Sequence, residues 1–444
     1  MNRCALFWGL LLWQILHLYP GSAQESSHYD TRFTRPLREV LDQIEERFDL
    51  QIECRRFSPD TLRLPYADFR LRPYSAEESL EGICAPLDLK WSRRAEGRYR
   101  LEPYEYYRRT PAEGERLLAW LSTLYADRET WEQRREVLLR EARAILDMQP
   151  LYDSLVEEPR VVWGEQRSFD GYTTRSYALE TLPGVFVGGT IYAPANGRQE
   201  RHPLILAPAG HWEGGRLRED QQLRMATLAR MGAVAVDLDI VGWGSCAGTV
   251  AFAHEDPRSM RLQVLWSRAV ADWVIRTRTD IDTSRLAATG GSGGATHSLL
   301  LALEDPRFRI LAPVAHLTAH FDGGCPCESA VPVTLAAGGT CMTELLAAVA
   351  APNPLLVVSN GGDWTHTFPT SEYPFLRRIW SLYGAEERVE NQHFPEERHR
   401  YGAPQRQAVY GFLARVLGLD LRRADEGCVQ VQSPGELEVV LPDE

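Results

Sequence analysis

Between residues ~160 and ~420 the chain alternates short apolar runs with longer amphipathic stretches, and this alternation limits the possible folds more than any other feature. Apolar runs at 203–208, 233–238, 285–289, 310–316 and 354–359 are each short enough for a buried strand. Helix-period segments at 220–231, 260–276, 295–303 and 374–383 lie between them. Two strands at 171–180 and 184–193, split by the turn-forming Leu182-Pro183-Gly184, come first; a strand at 389–394 and a helix at 404–417 close the series. Strands alternating with helices predict an α/β fold, a mostly parallel sheet with helices on both faces, over 156–420.

Ahead of this domain the pattern changes. Residues 34–103 read as a small α+β domain, with Leu37, Val40, Leu41, Ile44 and Phe48 at helical spacing before the alternating Leu50–Cys54. A second helix starts at Ser75, with Glu78 placed for a capping box, and strands follow at 89–92 and 98–101. Residues 104–155 read as a helical connector that packs against the next domain, with its Arg and Glu residues on a solvated face. The tail, 421–444, is expected to add a strand pair turning at Ser433-Pro434-Gly435. At the N-terminus, Arg3, the apolar stretch 5–18 and Gly21-Ser22-Ala23 are expected to form a signal peptide over 1–23, making the protein periplasmic or secreted. No later run approaches the ~20 apolar residues of a membrane span, so none is expected after signal cleavage. A net charge of −12 without a basic run excludes the cationic face that nucleic acid requires.

The chemistry centres on Thr289-Gly290-Gly291-Ser292-Gly293-Gly294-Ala295, between a strand and a helix. A strand that reverses tightly into a helix tolerates only small flanking residues, and it lifts the central serine clear of the sheet. The acid and the histidine of a Ser-His-Asp triad would then follow later strands, in that order. Asp363 comes after the run 354–359, and His399 after the strand 389–394. Alone, Asp363 would be a turn cap and His399 a surface histidine. Together, behind the right strands, they are the expected partners of Ser292. The backbone N–H of Gly293 is one expected oxyanion donor and that of His211 the other, with Trp212 second in line. Trp212, Trp243, Glu328 and Trp364 fall on loops after strands and are candidates to face substrate.

Metal and cofactor chemistry is not expected. His316 and His320 are spaced i, i+4 but follow a strand, so a core or substrate-facing role is favoured over a metal site. Cys325-Pro326-Cys327 is too tight for ordinary disulfide geometry, and no second cysteine pair accompanies it to hold zinc. Beyond Cys4 the cysteines number seven, so at least one is a free thiol or joins another chain. Cys54 and Cys84 could pair or simply pack.

Two resemblances extend this reading. Ser168-Phe169-Asp170-Gly171-Tyr172, Ala209-Gly210-His211-Trp212-Glu213-Gly214-Gly215, the Ser292 motif, Gly362-Asp363-Trp364-Thr365 and His399-Arg400-Tyr401-Gly402 resemble bacterial acetyl-xylan-esterase-like and dienelactone-hydrolase-like α/β-hydrolases. That resemblance implies hydrolysis of carboxylic esters, often acetyl groups on polysaccharides, so the expected partner is a carbohydrate ester or another small ester. The oxyanion segment departs from the His-Gly-Gly or His-Gly-Tyr of better-known esterases. The order of elements in 34–103 resembles the short N-terminal domain of secretins and TonB-dependent transporters, which implies a Gram-negative envelope setting and contact with an envelope protein. An exopeptidase could use the same triad. An envelope binding protein with a vestigial hydrolase domain is the alternative from another class.

Overall fold

The computed structural model describes residues 33–55, 57–87, 89–103, 109–195 and 201–441. The expected signal peptide lies outside the described residues. The chain divides near residue 104 into two compact units.

In the smaller unit β1 (Arg35–Pro36) pairs antiparallel with β3 (Arg63–Leu64), while β2 (Gln51–Cys54) runs parallel to β5 (Arg98–Pro103) and β4 (Leu89–Ala95) antiparallel to it. Helix Leu37–Phe48 turns Leu37, Val40, Leu41 and Ile44 into a core shared with Leu80 and Ile83 of helix Ala76–Cys84. Cys54 and Cys84 are free thiols.

The larger unit carries, among the described residues, a nine-stranded sheet in the order β14-β13-β12-β11-β9-β10-β8-β7-β6. Its strands are β6 (Val161–Phe169), β7 (Tyr172–Leu182), β8 (Val185–Pro194), β9 (His202–Leu206), β10 (Val234–Leu238), β11 (Ile281–Gly291), β12 (Phe308–Val314), β13 (Leu355–Gly362) and β14 (Val389–Arg398). From β10 to β14 neighbours run parallel; β6, β7, β8 and the β8–β10 pair are antiparallel. Period-2 alternation feeds two apolar layers: Leu204, Leu206, Val234 and Val236 enter one, Ile205, Ala207, Ala233 and Ala235 the other. Helix Ser259–Thr277 packs on the first layer and helix Ala403–Leu417 on the second. The expected α/β class is the observed one.

Three details differ from expectation. The edge strand β6 was not anticipated, because its exposed polar positions weaken the alternation. Among the described residues the tail forms no strand pair. Ser433 instead caps helix Pro434–Leu437 with Glu436 in a capping box, and Pro434 at the first helical position stabilises that turn rather than a hairpin. Finally, helices Pro111–Leu121 and Arg128–Leu146 pack on the following domain as expected, burying Trp131, Leu138 and Leu146 in its core, but their charge departs from the expected solvated face. Their charge is not merely solvated: Arg134 pairs with the fully buried Glu344 at 2.6 Å, and Arg143 Nε donates to the Leu303 carbonyl.

Candidate active site

β11 runs straight into helix Gly293–Glu304, and Ser292 at the junction has φ 54°, ψ −126°. A non-glycine residue adopts positive φ only at a cost, and such strain persists where its surroundings over-determine it. Here the Ser292 N–H donates to the Val314 carbonyl at 3.0 Å, extending the β11–β12 pairing to the turn itself. A Cβ at Gly290 would collide with the Gly294 backbone, and one at Gly294 with the Pro208 carbonyl. Glycine is therefore demanded by packing at both positions.

Ser292, His399 and Asp363 come together although they are far apart in sequence. His399 Nδ1–H donates to Asp363 Oδ2 at 2.9 Å, which leaves Nε2 to accept from Ser292 Oγ at 3.0 Å. The tautomer follows from the carboxylate partner. The Asp363 side chain is 1% exposed, and its other oxygen accepts from the Thr365 N–H at 2.7 Å and from Thr365 Oγ1 at 2.5 Å. Asp363 thus caps the turn that follows it with one oxygen and holds the His399 ring with the other. In sequence Thr365 stands only as a motif neighbour of Asp363, with no role of its own. Trp364 lies 4.2 Å and Trp212 5.6 Å, ring centre to ring centre, from His399.

Gly293 opens its helix, so its N–H has no carbonyl one turn earlier to bind. The Trp212 N–H is occupied, donating to the Gly210 carbonyl at 2.9 Å, which leaves His211 as the donor candidate from that loop. The loop continues into a 3-10 turn, Gly215–Leu217, anchored by a buried network. Arg216 donates to Asp239 Oδ1 at 2.7 Å, to Thr190 Oγ1 at 3.0 Å and to the Leu437 carbonyl at 3.2 Å. Beside it Asp237 accepts from the Thr190 N–H at 2.8 Å, and burial pushes its carboxyl up to about 7.

The remaining candidates separate from the triad. Glu328 is 4% exposed rather than open to substrate: Thr296 Oγ1 donates to it at 2.9 Å, His316 Nε2 lies at 3.3 Å and His211 Nδ1 at 3.5 Å. Burial opposes its ionisation, but these partners hold its pKa down at about 2. His316 and His320 are buried core residues on a non-helical segment. Trp243 stacks on His254 at 5.4 Å instead of approaching His399. His254, which the sequence did not single out, gathers with His211, Cys325 and Cys327 so that one ligand atom of each lies within 4.8 Å of the others. The neighbouring Cys327 thiol, aided by His211 and His254, outweighs burial and holds the Cys325 thiol well below the usual thiol range. The Cys327 thiol is pushed far up, first by burial and then by Cys325.

Among solved structures the chain is similar to a methylesterase, BT1017, with 46% identity and a TM-score of 0.77 over 92% of this chain and 91% of that one. It is also similar to an acetyl xylan esterase from Paenibacillus sp. R4 (17% identity, TM-score 0.44, 62% of this chain and 94% of that one). A glucuronoyl esterase from Solibacter usitatus matches at 14% identity and TM-score 0.42, over 65% of this chain and 93% of that one. No family model matches the chain, and no curated protein does. The protein is an esterase of the α/β-hydrolase fold. It belongs to the family of the methylesterase BT1017.

Proposed function

We propose that the protein is a serine esterase that cleaves carboxylic esters through an acyl-enzyme. The reading is carried by the continuous relay from Asp363 through His399 to a serine held at positive φ. Ser292 Oγ attacks the ester carbonyl carbon while its proton passes to His399 Nε2, and Asp363 stabilises the imidazolium that results. The backbone N–H groups of Gly293 and His211 receive the oxyanion. Collapse expels the alcohol, which takes the proton from His399. Water, deprotonated by the same imidazole, then attacks the acyl-enzyme; the carboxylic acid leaves and Ser292 recovers its proton.

The bond cleaved is a methyl ester, in keeping with a relative that is 46% identical and is called a methylesterase. Trp212 and Trp364 beside His399 offer flat apolar faces of the kind that stack on sugar rings, which supports a carbohydrate acid as the acyl part. The competing reading, removal of acetyl groups, keeps the same triad and exchanges which half of the ester is small. Methanol release from pectin and methyl glucuronate, set against acetate release from acetylated xylan, separates the two. Predominant methanol, lost in Ser292→Ala, is the expected result. Predominant acetate would favour the second reading. Peptide anilides cleaved while both esters stay intact would remove the esterase proposal altogether.

A further inference from the structure

We propose that His211, His254, Cys325 and Cys327 bind one zinc-class transition-metal ion in a tetrahedral site built from two sulfurs and two imidazole nitrogens. The four residues come from three separate loops, after β9, β10 and β12, yet their ligand atoms converge within 4.8 Å. Cys327 Sγ is 3.5 Å from His254 Nε2 and 3.9 Å from both ring nitrogens of His211. A zinc ion with bonds of ~2.3 Å to sulfur and ~2.0 Å to nitrogen sets neighbouring ligands ~3.5 Å apart. The cluster is thus close to its coordinated dimensions. Thiolate and imidazole select zinc or a similar metal over magnesium or calcium, which require oxygen ligands. A Cys-x-Cys pair that cannot readily close on itself can still converge on a third atom.

The surroundings match a metal site as well. His254 Nδ1 faces the Val241 carbonyl at 3.2 Å, an arrangement that turns Nε2 toward the sulfurs. His211 Nδ1 is 3.5 Å from Glu328, itself fixed by Thr296 and His316. Metal-bound histidines have their second nitrogen held in this way by a carbonyl or a carboxylate. Trp243 covers one face of the His254 ring. Four protein ligands leave no open position, so the ion is structural and supplies no reactive water.

Its place gives it a consequence for the reaction. The His211 ring lies against Gly293, where an added Cβ would collide with the imidazole. By fixing the His211 ring, the ion would hold the loop that bears one oxyanion donor against the segment that bears the other. This consequence rests on the serine-esterase reading; the metal site does not.

The test measures metal directly on the full-length chain, purified reduced and without chelator. Elemental analysis is expected to find about one zinc per chain. Exchange for cobalt(II) is expected to produce tetrahedral visible bands together with thiolate-to-cobalt charge transfer. His254→Gln and Cys325→Ser should each lower bound zinc and the charge-transfer band roughly tenfold or more. Circular dichroism identifies a variant that has simply unfolded, and zinc released from wild type in step with mercurial titration of its thiols gives a readout that needs no variant. A reduced wild type that takes up neither metal, or binds cobalt without charge transfer, overturns the proposal. So does a Cys325–Cys327 disulfide that persists in the folded chain under reducing conditions. Ester hydrolysis enters none of these measurements, so an inactive triad and an absent metal site are told apart.

Discussion

The two halves of the large sheet treat their polar residues in opposite ways. In the parallel half, β9 to β14, every strand delivers its C-terminal end to the same edge, and Ser292, Asp363, His399 and His211 all follow such ends. In the antiparallel half, β6 to β8, successive ends alternate between edges, and β8 meets the parallel half antiparallel at β10. At the β8–β10 junction Thr190, Asp237 and Asp239 are buried together with Arg216 from the loop after β9, and Arg216 donates to Asp239 and Thr190. Parallel topology collects the Ser292, Asp363 and His399 side chains, whereas the network at the β8–β10 junction anchors the loop that bears His211.

This contrast is sharpest in activity. Ser292→Ala should reduce kcat/KM for ester hydrolysis by roughly 10⁴–10⁶-fold while the circular dichroism spectrum stays native. Comparable turnover in that variant would break the assignment of chemistry to the parallel half. Asp363→Asn is expected to cost about 10³–10⁴-fold, because the amide no longer selects the imidazole tautomer that accepts from serine. Steady-state kinetics with the same substrate distinguish this loss from a mere rise in KM.

At the β8–β10 junction the largest effects should appear in stability. Arg216→Met removes the cation from a buried pair and leaves Asp239 uncompensated, a change expected to cost about 3–5 kcal/mol in denaturant unfolding. A loss within experimental error would show that the network is not what holds the loop. The smallest effect expected is a pH dependence. Unfolded Asp titrates near ~3.9, whereas buried Asp237 titrates at about 7. Between those values the folded state keeps a proton that the unfolded state has lost, so stability falls as pH rises through this window. Asp237→Asn should flatten that fall in melting temperature measured from pH 5 to pH 8. A wild-type profile that rises over the same range contradicts the sign.

Legibility followed the same division. That Ser292, Asp363 and His399 come together could be read because each trails a strand whose apolar run is plain and whose order carries meaning. Gly290 and Gly294 could be read because a tight turn excludes a Cβ, a local demand that the backbone contacts bear out. Strand β6 and the connector's ion pairs could not, since a polar edge strand and a buried Arg134–Glu344 pair look in sequence like solvated charge. His254 is the sharper lesson. It sits in an unremarked loop, and only the convergence of three loops sets it beside Cys327.

Local sequence therefore determined the alternation of strand and helix, the serine turn and the order of its partners, because periodicity and steric exclusion act over a few residues. Which loops meet was decided in three dimensions. Neither the burial of Glu328 beneath the site nor the gathering of His211, His254, Cys325 and Cys327 is encoded in any one segment, since contacts between loops depend on how the whole sheet sets their endpoints.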